Sequence, residues 1–166
     1  TDDQGWGDIG YHNPAVYSPN LDALARSGAR FTQHYVMPQC TPTRVAVMTG
    51  RYPSRFGPQA QQANNAKAFP LGTPTLGTLM KSAGYETHLV GKWHLGLGNE
   101  QPVDYTKPLK PGPLELGFDS FFGIPASLDM EPYLFVVDHA PLEPPTDEVA
   151  GSAHRRQGGG GFWRKG

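Results

Sequence analysis

The sequence predicts an α/β fold with a mainly parallel sheet flanked by helices on both faces. Three observations lead there. Short runs rich in β-formers stand at residues 30–36, 87–90 and 133–137. Stretches with helical spacing and clear start and stop residues lie between them, and polar, proline-rich segments at 97–113 and 138–161 read as loops. Helices alternating with short apolar strands are the pattern of a sheet buried on both sides.

Taken in order, Asn20 can cap a helix over Leu21, Leu24 and Ala25, with Gly28 placed to end it. RFTQHYV, residues 30–36, alternates like a strand. Residues 42–49 read as a helix with Pro42 in the first turn and Gly50 just past the end. Thr73-Pro74 opens another helix through Leu76, Leu79, Met80 and Ala83, closed by Gly84. Strands follow at 87–90 and 133–137.

Composition narrows the function. The 166 residues include 21 glycines and 17 prolines, so loops and turns take much of the chain. The formal net charge of -1 and the lack of a long basic run argue against nucleic-acid binding. No apolar stretch reaches membrane length. A single cysteine, Cys40, precludes an intrachain disulfide. The chain opens on Thr1 rather than Met and ends in GGGGFWRKG, which leads us to expect a piece of a larger protein.

Some motifs lead nowhere. GWGDIG at 5–10 is a literal G-x-G-x-x-G, but it runs into YHNPAVYSPN instead of opening a helix, so turn glycines are the better reading. Gly91-Lys92 lacks the remainder of a phosphate loop. The six histidines include no H-E-x-x-H, which leaves zinc poorly supported.

Three stretches carry chemistry. Asp2 and Asp3 are adjacent carboxylates followed by Gly5 and Gly7. At the end of a strand such a pair suits a hard cation, Ca²⁺ or Mg²⁺, although alone it is more often a solvated turn. CTPTR, residues 40–44, puts Cys40 at a helix entrance, where unpaired N–H groups favour an anion. Arg44, one turn on, can add a forked donor for an oxyanion, and a plain thiol there would have a lowered pKa. A buried structural cysteine is the ordinary alternative. In GKWHLG, residues 91–96, Lys92 and His94 are two apart, so an extended backbone would send both to one face at the strand exit. A surface pair is the ordinary alternative there.

In combination these stretches resemble the sulfatase family of the alkaline-phosphatase-like superfamily, its arylsulfatase branch most of all. The matching pieces are DDQGWGD, SPNLDALARSGARFT, C-T-P-T-R followed by MTGRYP, GYETHLVGKWHLG and GFDSFFGIPASLD, in the family's order. The resemblance implies that residues 1–166 are the N-terminal part of one catalytic domain, cut at both ends, with an incomplete sheet. It also implies that Cys40 is oxidised by a formylglycine-generating enzyme to formylglycine, whose hydrate attacks sulfur and later expels sulfate. By the same analogy Asp2, Asp3 and modified Cys40 bind Ca²⁺ or Mg²⁺. Arg44 holds the diol, Lys92 bridges diol and sulfate, His94 takes a proton in the elimination, and Ser127 lies near the sulfate.

The family's further metal ligands, its leaving-group histidine and a second lysine are expected beyond residue 166; His139 and His154 lack the right surroundings. The implied substrate is a small-molecule or carbohydrate sulfate ester, and the implied location is periplasmic, secreted or lysosomal. Two alternatives share the same residues: a phosphate or phosphonate monoester hydrolase, and a catalytically dead sulfate-binding homologue.

Overall fold

The computed structural model describes residues 4–62, 66–128, 130–149 and 163–165. The chain divides into two compact units, Thr1–Cys40 and Thr41–Gly166.

The first unit is built from turns and one helix, α1 (Pro19–Ser27). Ser18, not Asn20, takes the cap position, because Pro19 already has the fixed φ that suits the first helical residue. Asp22 in the first turn accepts from the Tyr11 amide (2.8 Å) and the Ser18 hydroxyl (2.8 Å), and the Gly10 amide donates to Ser18 (2.7 Å). GWGDIG forms turns, as its sequence context implies. RFTQHYV joins no ladder among the described residues. Phe31, Tyr35 and Val36 are exposed, so alternation there never finds a partner strand to pair with.

α2 (Cys40–Thr49), in the second unit from Thr41 on, begins two residues earlier than expected and ends where Gly50 takes the left-handed conformation at φ 64°. α3 (Leu76–Ser82) starts later than Thr73, because Thr75 and Thr78 close a capping box: the Thr78 amide donates to Thr75 Oγ1 (3.1 Å) and the Thr75 amide to Thr78 Oγ1 (2.8 Å). β1 (His88–Lys92) pairs in parallel with β2 (Ser120–Ile124). β2 pairs antiparallel with β3 (Val136–Val137), and β3 with β4 (Ala140–Pro141). β5 (Asp147–Val149) and β6 (Trp163–Lys165) form a separate ribbon.

The α/β class is therefore the class found. The main sheet is mixed, the strand expected at 133–137 shortens to two residues, and β4 and β5 occupy part of the expected loop. Residues 97–113 contain neither helix nor strand, as anticipated.

The core lies on one face of this sheet. Phe121 and Val136 point into it and meet Val45, Trp93, Leu97 and Leu109, each at most 2% exposed. Such side chains contribute about 1.5–3 kcal/mol each by leaving water. On the other face Val90, Phe122 and Phe135 are exposed, the two phenylalanine rings stacked 5.5 Å apart. β1 and β2 approach so closely that a Cβ on Gly123 would run into the Gly91 carbonyl. Glycine is needed there.

Asp119 fixes the start of the parallel pair. It accepts from the Thr87 amide (2.9 Å) and hydroxyl (3.0 Å) and pairs with Lys81 of α3. The Lys81 bond, then those from Thr87, lower its pKa from 3.8 to about 2. A depressed carboxyl adds stability that is complete above its unfolded value and fades as pH falls through the folded one. Asp119→Asn should thus lower the melting temperature at neutral pH, and the gap to the parent protein should close as pH drops from about 4 to about 2. Thermal melts across that window showing a constant gap would contradict this role.

Candidate functional site

The N-terminal half of α2 and the exit of β1 meet in the second unit. Thr41, Arg44, Val45 and Met48 form an i, i+3, i+4, i+7 stripe on α2. Val45 and Met48 face the core, and Thr41 is fully buried. The Thr41 hydroxyl donates to the His94 carbonyl (3.3 Å). Arg44 Nε donates to the Trp93 carbonyl (3.0 Å), and a terminal guanidinium nitrogen donates to the Lys92 carbonyl. Two side chains of one helix thereby hold three successive carbonyls.

The amides of the same segment turn the other way. Trp93 N donates to Ile124 O (3.0 Å) and His94 N to Pro125 O (2.9 Å), which carries the β1–β2 contact past the last rung of the ladder. Trp93 is buried; its indole donates to the Gly96 carbonyl (2.7 Å).

Lys92 is the last residue of β1 and half-buried. His94 is fully buried and has φ 58°, a left-handed conformation uncommon for a side-chain-bearing residue. The extended backbone assumed for 92–94 therefore stops short of His94, and period-two alternation does not govern its direction. Such conformations persist only where the surroundings over-determine them, and they cluster at functional sites.

Cys40 is the first residue of α2 and half-buried. Ser127 is half-buried on the wall of a cleft of about 210 Å³ formed by the segment leaving β2, the approach to β3 and the chain after β4. His139 pairs with Glu115 (2.9 Å). Asp2 and Asp3 lie outside the described residues. Among the described residues no group of three or more His, Cys, Asp or Glu could hold a metal. The donor chemistry of two adjacent carboxylates nonetheless suits a hard cation.

Residues 1–145 match the family model described as Sulfatase. The chain belongs to the sulfatase family. Among curated sulfatases it is 43% identical to arylsulfatase A of Bos taurus over 135 residues, covering 79% of this chain and 25% of that protein. It is 42% identical to steryl-sulfatase of Mus musculus, covering 76% of this chain and 21% of that one. The chain thus spans about a fifth to a quarter of these relatives. A solved structure described under the metabolism of multiple glycosaminoglycans by Bacteroides thetaiotaomicron aligns with TM-score 0.80 at 32% identity, over 93% of this chain and 34% of that one. Another, in complex with k-i-k-neocarrahexaose, aligns with TM-score 0.58 at 31% identity, over 76% and 27%.

Thr41 escapes a reading of sequence alone. Beside Cys40, at a helix entrance, a threonine reads as a cap; only its place on the Thr41–Val45–Met48 stripe hints at burial. Arg44, expected to fork onto an oxyanion, here braces the backbone with at least two of its donors. A sulfatase built this way should lose stability when the Thr41 hydroxyl goes. Thr41→Val, nearly isosteric, should cost about 1–3 kcal/mol in urea unfolding because the His94 carbonyl loses a buried donor, whereas Thr41→Ser should recover most of it. Equal losses for both would show that packing, not the hydrogen bond, is what matters.

Proposed function

We propose that this chain carries the nucleophile and the sulfate-handling residues of a sulfuric ester hydrolase of arylsulfatase type. The observation that supports the reading best is the fastening of α2, which begins at Cys40, to the Lys92–His94 backbone by Thr41 and Arg44. Catalysis by positioned groups needs such rigidity.

In this reading residue 40 matures to formylglycine with the help of a formylglycine-generating enzyme, and its hydrate supplies the attacking oxygen. The Arg44 guanidinium orients that oxygen while bracing the loop. Lys92 holds the sulfate being transferred and offsets the charge that develops on it. His94 takes the proton released as sulfate leaves. Asp2 and Asp3 would hold Ca²⁺ or Mg²⁺, which supplies charge neutralisation beside the sulfate. The substrate class is a small-molecule or carbohydrate sulfate ester, and the setting is periplasmic, secreted or lysosomal. No helix among the described residues is long and apolar enough to cross a membrane.

The decisive measurement is the mass of the Cys40 peptide from protein made alongside the modifying enzyme. Conversion of the thiol to the aldehyde is expected; unmodified cysteine under those conditions would sink the reading. Hydrolysis of an aryl phosphate in preference to the matching aryl sulfate would move the protein to the phosphate or phosphonate monoesterases. Binding of sulfate without turnover would make it an inactive homologue.

Lys92 and His94 have separable tasks. Lys92→Ala should slow the first transfer by about 2–4 kcal/mol, the usual scale for one preorganised electrostatic contact. His94→Ala should slow turnover about a hundred- to ten-thousand-fold and let a sulfated adduct accumulate on residue 40. With a chromogenic aryl sulfate the His94 variant should give a burst of about one equivalent, and the Lys92 variant none. A slow linear course without adduct in His94→Ala would move that residue to the first step.

Metal dependence gives an independent check. Asp2→Ala or Asp3→Ala should make residual activity depend on added Ca²⁺ or Mg²⁺. Full activity after exhaustive chelation would reduce the pair to a turn.

A further inference from the structure

We propose that the cleft beyond β2 receives the organic group of the ester, and that Glu143 at its rim selects uncharged or cationic rings over anionic ones. The proposal rests on the sulfatase reading above and assigns the other end of the substrate.

Position comes first. Ile124, on the cleft wall, is the register partner of Lys92 in the β1–β2 ladder. The next two rungs tie the carbonyls of Ile124 and Pro125 to the amides of Trp93 and His94. One wall residue, Ile124, and the residue after it are therefore hydrogen-bonded to the segment bearing the proposed sulfate lysine and proton acceptor. Sheet order puts one strand position between that segment and the β3–β4 side of the cleft, so an ester can reach from one to the other.

Size and chemistry come next. At about 210 Å³ the cleft holds a single ring rather than a chain of rings. Its lining is mainly apolar, with Ile124, Leu134, Phe135 and Leu142 around Tyr133, and polar groups are few. A sugar ring buried there would leave most of its hydroxyls without partners, at a cost that a flat hydrocarbon ring does not incur. Phe135, held by its stack on Phe122, and Tyr133 offer aromatic surface to such a ring.

Charge decides the polarity of binding. Glu143 is an exposed carboxylate on the rim, and among the described residues no cationic side chain lines the cleft. An anion is repelled there. The sulfate therefore belongs on the Lys92 side and the uncharged end in the cleft, and an anionic ring substituent meets the carboxylate. Because Glu143 is exposed, the discrimination is modest and weakens with salt.

The test compares 4-carbamoylphenyl sulfate with 4-carboxyphenyl sulfate, a neutral and an anionic ring of one shape. The neutral ester should have the higher kcat/KM. Glu143→Gln should narrow the ratio by about two- to five-fold, and 0.5 M salt (roughly halving the screening length of physiological buffer) should narrow it similarly in the parent protein. Leu142→Trp, a change at an exposed position, should fill the cleft and raise KM for both esters about tenfold, leaving inhibition by inorganic sulfate unchanged. An unaltered ratio in Glu143→Gln, or an unaltered KM in Leu142→Trp, would overturn the assignment, as would a preference for a sugar sulfate that ignores both substitutions. Titration of 4-hydroxybenzamide against 4-hydroxybenzoate separates this from failure of the sulfatase reading. Without any turnover, tighter binding of the amide that Leu142→Trp abolishes upholds the cleft and sinks the activity; no binding of either sinks the cleft.

Discussion

The carbonyls of Lys92, Trp93 and His94 are the point on which the second unit turns. The amides of Trp93 and His94 are committed to the end of β2 and its continuation, and the three carbonyls need donors of their own. Thr41 and Arg44 supply them from one face of α2. A buried carbonyl without a donor costs about 1–3 kcal/mol, and bonds from a charged guanidinium are stronger than neutral ones. Grasped from both sides, the segment has little freedom, and this is what permits a fully buried His94 to stay at φ 58°. The same fastening brings Trp93 down onto Phe121, with ring centres 6.5 Å apart, and so completes the core.

This arrangement explains what the sequence made legible and what it hid. Helix ends were readable where a residue has one physical use, as with Gly50 in the left-handed position; the starts set by Pro19 and by the Thr75–Thr78 box were misplaced, because Asn20 and Thr73-Pro74 offer competing start signals. Of the parallel pair only β1 was readable, from its β-forming run at 87–90; β2, SFFGI at 120–124, was not expected as a strand. RFTQHYV failed because alternation specifies a face but not a neighbour. β4 went unseen because Ala140-Pro141 has no strand signature; proline is tolerated there because β4 lies at the edge of the sheet.

At the candidate site, residue types were legible and directions were not. Cys40 at a helix entrance follows from the Pro and Gly that bracket α2. Lys92 at a strand exit follows from the apolar run before it. His94 was placed by extended alternation, yet its backbone leaves the extended region, and no feature of GKWHLG short of the structure signals that. Asp2 and Asp3, outside the described residues, rest on chemistry and resemblance alone.

The bonds from Thr41 and Arg44 hold the segment by its carbonyls and not by the side chains of residues 92 and 94. In the proposed mechanism position and chemistry are thereby divided between backbone and side-chain atoms of one segment. A side-chain replacement at Lys92 or His94 keeps the backbone groups that make these bonds, while truncation of the fully buried His94 also removes packing. Replacement at Thr41 releases the backbone and shifts both side chains at once. In the proposed mechanism Arg44 stands in both classes, since bracing carbonyls and orienting an oxygen draw on one guanidinium. Its two contributions separate only by comparing loss of stability with loss of rate: a pure brace loses both in proportion, and a group that also touches the reacting atoms loses more rate than stability explains.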